Sequence, residues 1–237
     1  MKINCYNSAM IGSLLADSVA MPVHWYYDTA ALDRDYPELN GFESPRNPHP
    51  DSILWRSQYT PRNSQGDILH DQAQYWGQRG VHYHQFLAAG ENTLNFKLAV
   101  ELYQLVIKRG SYDADVWLTH YATCMLKAGW HRDTYAEEYH RAFFDHYAQG
   151  KPLTACGIDD LHIGGLSQLP SLLAALNHIG QTDLEDQLCI AEHHLRLTHH
   201  NLHVVNAGKA LCRILFALSH GAGLRESIET HSQTYCK

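Results

Sequence analysis

Residues 93–110 read TLNFKLAVELYQLVIKRG, and this stretch decides the fold class. Apolar residues recur in it at spacings of three and four: Leu94, Leu98, Leu102, Leu105 and Val106. This period predicts an amphipathic helix over 93–109. Thr93 or Asn92 is a natural N-cap, and Gly110 is placed to end the helix.

Similar helical patterns extend over most of the chain on either side. They predict helices over 6–20, 133–147, 169–176, 184–197 and 204–218. Asp113 or Asp115 is placed to start one more helix. Prolines and turn residues break any regular element over 37–64, and helices are expected to resume from residue 67. Because alternation of apolar and polar residues is nowhere sustained, we expect an all-α fold of about eight helices in a single domain, residues 1–237.

Composition excludes several classes of function. The 237 residues carry a formal net charge of −7, so a phosphate-backbone binder is not expected. The apolar segments are interrupted before they reach bilayer length, which argues against a membrane protein. Six scattered cysteines without a C-x-x-C pair indicate free thiols in a reducing compartment. We therefore expect a cytoplasmic protein that binds neither nucleic acid nor membrane.

Four polar stretches stand out against this helical background. They are GSLLADSVAMPVHW (12–25), AAGENTLN (88–95), GIDDLHIGG (157–165) and RLTHHNLH (196–203). In the first, Asp17 lies inside an apolar helix that Pro22 must end, and a buried carboxylate needs a hydrogen-bond or cation partner. It is either a site residue or a carboxylate bonded to the adjoining loop.

The third stretch offers carboxylates close to a histidine. Asp159 and Asp160 either cap a following helix or, with His162, perform acid–base chemistry. The glycines there, Gly157, Gly164 and Gly165, would let backbone N–H groups approach a phosphate. In the fourth stretch, Thr198 and His199 are expected to open a helix, with His199 and His203 sharing a face if it begins early enough.

Together, in this order, the four stretches resemble the ADP-ribosylglycohydrolase family. The resemblance implies an orthogonal helical bundle of that type and hydrolysis of an ADP-ribosyl glycosidic bond. Two departures are evident: His24 stands where the family has a glutamate, and Glu91-Asn92-Thr93 replaces a pair of aspartates. The final acidic stretch of the family, which closes its metal site, is also missing after His203. We expect the Mg²⁺ or Mn²⁺ site to be weak or lost, with Asp17, Glu91 and Thr93 as the remaining candidate ligands.

The resulting assignment has a catalytic and a binding part. The catalytic candidates are Asp17, His24, Glu91, Asp159, Asp160 and His162. The substrate-binding candidates are Asn92, Thr93, Gly157, Gly164 and Gly165. His82 and His84, which precede the Glu91 loop, are further candidates for the neighbourhood of the site.

Three functional hypotheses remain open. The first is an active hydrolase whose partner is an ADP-ribosylated protein. The second is a catalytically silent protein that binds ADP-ribose or a nucleotide. The third is a shortened scaffold that forms a homo-oligomer through an exposed groove near the C-terminus.

Overall fold

The computed structural model of the protein describes residues 4–232, and over this range it is built from α-helices joined by short 3₁₀ turns and long loops. The helices are α1 (Cys5–Ala20), α2 (Thr29–Asp35), α3 (Leu94–Arg109), α4 (Ala114–Met125), α5 (Glu138–Ala148), α6 (Leu169–His178), α7 (Leu184–Arg196), α8 (Leu202–Ser219) and α9 (Leu224–Ser232). Between residues 4 and 232 there is no strand, only an isolated bridge between Ile158 and His199. The all-α prediction is confirmed.

Helix α6 forms the centre of the bundle. It packs against α1 on one side and α3 on the other, while α8 packs against α7 and α9. Its sequence is apolar on nearly every face, which is typical of a helix surrounded by others. Leu172, Leu173 and Leu176 are fully buried, as are Ala174 and Ala175.

The ends of α3 and α4 follow local sequence rules. Gly110 ends α3 in the left-handed conformation, with φ +70°, which a glycine adopts without a steric penalty. Asp113 caps α4 by accepting hydrogen bonds from the backbone N–H groups of Asp115 and Val116. Both predicted termini are confirmed.

Three local predictions are wrong. The α-helices do not resume at residue 67: the regular segment there is a 3₁₀ helix, His70–Tyr75, and the next α-helix begins at Leu94. The helix predicted over 133–147 begins at Glu138, because the residues before it form a polar loop. The segment Thr198-His199 precedes α8, which Asn201 caps, so His199 and His203 do not share a helical face.

One helix, α8, meets the length and hydropathy criteria for a membrane span, although no segment was expected to do so. Helix α8 is long enough, and its mean hydropathy of 1.2 high enough, to cross a bilayer. Core helices of soluble proteins meet the same criterion. Helix α8 packs against four other helices, α1, α6, α7 and α9, and 28% of it is buried.

Candidate active site

The first element of the site is the contact between the end of α1 and the start of α3. Asp17, only 6% exposed, accepts hydrogen bonds from Thr93 N (2.8 Å), Thr93 Oγ1 (2.7 Å) and Asn92 Nδ2 (3.0 Å). Asn92 Nδ2 also donates to the carbonyl of Leu14 at 2.7 Å. Burial raises the pKa of Asp17 in spite of these donors. The structure thus brings Asp17 together with two other predicted site residues, Asn92 and Thr93, which lie 75 and 76 positions later in the chain.

A buried chain of two histidines and a carboxylate forms the second element. His24 Nδ1 lies 3.1 Å from His84 Nε2, and His84 Nδ1 is hydrogen-bonded to Asp133 Oδ1. The other oxygen of Asp133 accepts the N–H of Leu94, at the first turn of α3, at 2.6 Å. Burial opposes charge on His84, but the adjacent Asp133 carboxylate raises the net pKa of this histidine. Burial, followed by the charge of His84, lowers the pKa of His24 to about 4.

A third histidine, His82, is hydrogen-bonded to the backbone next to these two histidines. His82 Nδ1 accepts the backbone N–H of His84 at 3.0 Å, while His82 Nε2 lies 3.1 Å from the carbonyl of Pro22. These partners require a neutral ring with its proton on Nε2. Burial, reinforced by the charge of His84, accordingly lowers the pKa of His82 to about 3. His82 therefore holds the backbone at His84 and at Pro22 without itself being charged.

Both elements open on one cavity of about 270 Å³. Its walls include Asp17, His24, Trp25, His84, Thr93, Leu94, Asn95, Phe96, Asp133, Tyr135 and Glu137. Burial raises the pKa of Glu137 to about 6, and this side chain accepts a hydrogen bond from Asn95 Nδ2 at 2.8 Å. With 29% of its side chain exposed, Glu137 is still accessible to a ligand. We call this space the first cavity.

Trp25 places an aromatic face at the first cavity. Its backbone has φ +67°, a left-handed conformation that is costly for a bulky residue and is concentrated at functional sites. Its ring stacks on Tyr83 with centroids 5.0 Å apart and meets Tyr135 edge-on at 5.5 Å. Because the residue remains 37% exposed, part of the ring can stack on a planar ligand.

A second cavity, of about 340 Å³, shares Asp133 with the first. It is lined by Leu87, Gly90, Glu91, Asn92, Lys97, Val100, Glu101, Gln104, His131, Arg132 and Asp133. Glu91 pairs with Arg132 and accepts the backbone N–H of Ala88 at 2.6 Å. Burial opposes ionisation of Glu91, but the hydrogen bond from Arg132 lowers its net pKa. Glu91 thus lines a different cavity from Asp17.

The acidic residues of the third stretch, Asp159 and Asp160, are hydrogen-bonded to nearby side chains and backbone. Asp160 Oδ1 accepts the backbone N–H and Nδ1–H of His162, at 2.8 and 2.9 Å. Asp159 accepts a hydrogen bond from Asn201 Nδ2 at 2.7 Å. Among the described residues that line either cavity, none belongs to 157–163. The structure therefore does not bring Asp159, Asp160 and His162 into the first cavity with Asp17 and His24.

The glycines of the third stretch are closely packed against other residues of the protein. A Cβ on Gly164 would lie 3.0 Å from the Tyr139 ring. The hydroxyl of Tyr139 donates a hydrogen bond to Asn95 Oδ1, in the wall of the first cavity. A Cβ on Gly165 would meet the His199 ring at 2.7 Å, and one on Gly157 would meet the Leu197 carbonyl at 2.8 Å. Close packing thus accounts for glycine at 157 and 165, and Gly164 lies just behind the first cavity.

Three site residues escaped the sequence analysis: Trp25, Asp133 and Glu137. The last two lie between α4 and α5, where the pattern suggested a continuous helix from residue 133. The signal that could have found them is the polar run HRD at 131–133, which interrupts the apolar period between two helices.

The donor set around Asp17 does not fit a hard divalent cation as it stands. Such an ion needs several free oxygen ligands, but both Asp17 oxygens and the Thr93 hydroxyl are used in hydrogen bonds with each other or the backbone. Glu91 is engaged with Arg132. The expectation of weak or lost Mg²⁺ or Mn²⁺ binding stays a prediction, and the chemistry below uses protein groups alone.

Comparison with known protein families and with characterised proteins finds no match to this chain. The residues and their geometry are therefore the basis for a functional assignment.

Proposed function

We propose that the first cavity binds an ADP-ribosyl group and hydrolyses its glycosidic bond by acid–base catalysis. The observation that carries this proposal is the hydrogen-bonded chain from Asp133 through His84 to His24, which ends in a cavity that also contains Asp17 and Glu137. The resemblance of the four polar stretches to the ADP-ribosylglycohydrolase family supplies the substrate class.

The hydrogen-bonded chain from His24 through His84 to Asp133 can move a proton away from the cavity. At a pH above the raised pKa of His84, where its ring is neutral, His84 Nδ1–H donates to Asp133 and its Nε2 accepts the Nδ1 proton of His24, which leaves His24 Nε2 as a base. When His24 Nε2 removes a proton from water, its Nδ1 proton passes to His84. The resulting imidazolium lies beside Asp133, the group that already raises the pKa of His84.

Glu137 is suited to the opposite role. A carboxyl with a pKa of about 6 is partly protonated near neutral pH and can donate to a leaving group. In the proposed reaction the water oxygen bonds to the anomeric carbon as the bond to the leaving nitrogen or oxygen breaks. The Glu137 proton goes to that atom, while the ionised Asp17 stabilises positive charge on the sugar ring.

An alternative function is metal-independent binding of ADP-ribose without hydrolysis. It is favoured by the saturation of Asp17, whose two oxygens are held by Thr93 and Asn92. In that case Asp17 is a structural link between α1 and α3, and Trp25 with the cavity walls provides the binding surface.

The test combines calorimetric titration of ADP-ribose, in Mg²⁺ and then in EDTA, with release of ADP-ribose from N- and O-glycosidic conjugates. We expect binding in both buffers and hydrolysis that His24→Gln reduces by about 10²- to 10⁴-fold in kcat, since a general base contributes that much. His203→Gln, an exposed histidine on α8, is the matched control. Binding without release of ADP-ribose would favour the alternative, and the absence of binding in both buffers would contradict both functions.

A further inference from the structure

A group of three metal-ligating side chains lies between α3 and α4. Glu101 Oε2 is 2.8 Å from His120 Nε2, and Cys124 Sγ is 3.5 Å from the same nitrogen. All three donor atoms lie within 4.8 Å of one another. Among residues 4–232, this is the one group of three or more such side chains that meets this distance.

The helical repeat explains how the group is held. His120 and Cys124 are four residues apart on α4, so their side chains lie on one face of that helix. Glu101 comes from the middle of α3, which packs against α4. Two helices therefore fix the positions of all three donors, and no loop is needed to assemble them.

We propose that Glu101, His120 and Cys124 form a site for a divalent transition-metal ion, with Zn²⁺ as the best match. Zinc bond lengths with tetrahedral angles place a nitrogen and a sulfur ligand about 3.5 Å apart, and a nitrogen and an oxygen ligand about 3.4 Å apart. The first separation equals that between His120 Nε2 and Cys124 Sγ. The second requires Glu101 to move from His120 by roughly 0.6 Å, as expected when a cation replaces their hydrogen bond.

The donor chemistry selects this class of metal over Mg²⁺. A thiolate and an imidazole suit zinc and its spectroscopic substitute cobalt, whereas Mg²⁺ prefers oxygen ligands throughout. Three protein ligands leave a fourth position for water or a bound molecule. His120 and Glu101 have side-chain exposures of 32% and 28%, so an ion can reach the site from solvent. The site is separate from the first cavity and does not depend on the proposed hydrolysis.

Metal binding must displace one proton from the thiol. Burial, followed by the Glu101 carboxylate, raises the pKa of Cys124 to about 11, against the smaller opposing effects of Lys127 and Lys97. In the metal-free protein Cys124 is therefore a thiol at neutral pH. The Nε2 proton that His120 donates to Glu101 moves to Nδ1 as the neutral ring changes tautomer, which frees Nε2 for the metal. Formation of the metal–sulfur bond breaks S–H, and the thiol proton is the one released to the buffer.

The test is a titration of the full-length, EDTA-treated protein with Co²⁺. We expect one equivalent to produce a thiolate-to-cobalt charge-transfer band in the near ultraviolet, tetrahedral cobalt bands in the visible range, and displacement of both by Zn²⁺. One proton should be released per ion bound. Cys124→Ser should abolish the charge-transfer band, while Cys189→Ser, which removes an exposed thiol, should leave it unchanged.

Glu101→Gln provides a second readout that does not remove the sulfur. The band should persist while the Co²⁺ dissociation constant rises by at least about tenfold, because a charged ligand is lost. Circular dichroism checks that each variant is folded, and if Cys124→Ser does not fold, Glu101→Gln decides. A missing or non-saturating band overturns the proposal, as does a band lost in Cys189→Ser or an unchanged dissociation constant in Glu101→Gln.

Discussion

The two cavities that meet at Asp133 contain similar residue types in opposite environments. In the first, Asp17, His84 and Asp133 are buried, with exposures of 6%, 6% and 1%, and their hydrogen bonds run through the protein interior. In the second, the Glu91–Arg132 pair has side-chain exposures of 39% and 53%. The pKa values of His24 and Glu137 are strongly shifted in the first cavity. Burial, more than the number of nearby charges, therefore determines how far the pKa values of these polar groups are shifted.

The largest effect is expected when the residue shared by both cavities is truncated. Asp133→Ala would leave His84 buried without its carboxylate and Leu94 N–H without its acceptor. Loss of one partner from a buried pair costs about 3–5 kcal/mol of the free energy of unfolding. Glu91→Ala, which breaks the exposed pair, should cost less than about 1 kcal/mol. Urea denaturation measures both, and equal losses would contradict the distinction between the cavities.

The pH dependence of stability provides the next largest effect. The pKa of His24 is about 4 in the folded protein and near 6.5 when unfolded, so the unfolded chain binds more protons between these values. Its stabilising contribution is present above pH 6.5 and is lost as the pH falls toward 4. For this one group the loss between pH 7 and pH 5 is about 2 kcal/mol.

The variant His24→Gln isolates the contribution of His24 to the pH dependence of stability. His24→Gln should reduce the loss of stability between pH 7 and pH 5 by about 2 kcal/mol, whereas His203→Gln, on the exposed face of α8, should leave it unchanged. His84 acts in the opposite direction, because its raised pKa contributes stability that is lost as the pH rises. A pH profile that His24→Gln does not alter would mean that His24 is hydrated in the folded state.

The hydrogen bond from Thr93 to Asp17, in the wall of the first cavity, allows a test in which the expected loss of stability is of intermediate size. Thr93→Val removes the hydroxyl that donates to Asp17 Oδ1 but keeps the shape of the side chain and its backbone N–H. We expect a loss of about 1.5 kcal/mol, the lower end for a hydrogen bond to a charged group. Thr93→Ser retains the hydroxyl and loses one buried methyl group, so it should cost no more than about 0.8 kcal/mol. Similar losses in both variants would assign the effect to packing instead.

The contrast between cavities also shows how far the sequence could predict the molecule. Helices α3, α7 and α8 were predictable because apolar residues recur along them at helical spacing, and α6 because it is a short run that is apolar on nearly every face. The meeting of Asp17 with Thr93 was suggested by polar residues at helix ends and by a family resemblance. Asp133 and Glu137 were missed, since they lie in a loop without a period, marked in the sequence only by the polar run at 131–133, and join the site through tertiary packing.

The smallest expected effect concerns the second cavity alone. In a double-mutant cycle of Glu91→Gln and Arg132→Gln, the coupling free energy should be about 0.5 kcal/mol and should fall as salt is added, because exposed charges are screened. The cost of Asp133→Ala should change little over the same range of salt concentration, since solvent ions do not reach the His84–Asp133 pair. A Glu91–Arg132 coupling above about 2 kcal/mol, or one that is insensitive to salt, would show that the second cavity is closed to solvent like the first. In that case the exposure difference between the two cavities would no longer explain the shifted pKa values of His24 and Glu137 in the first.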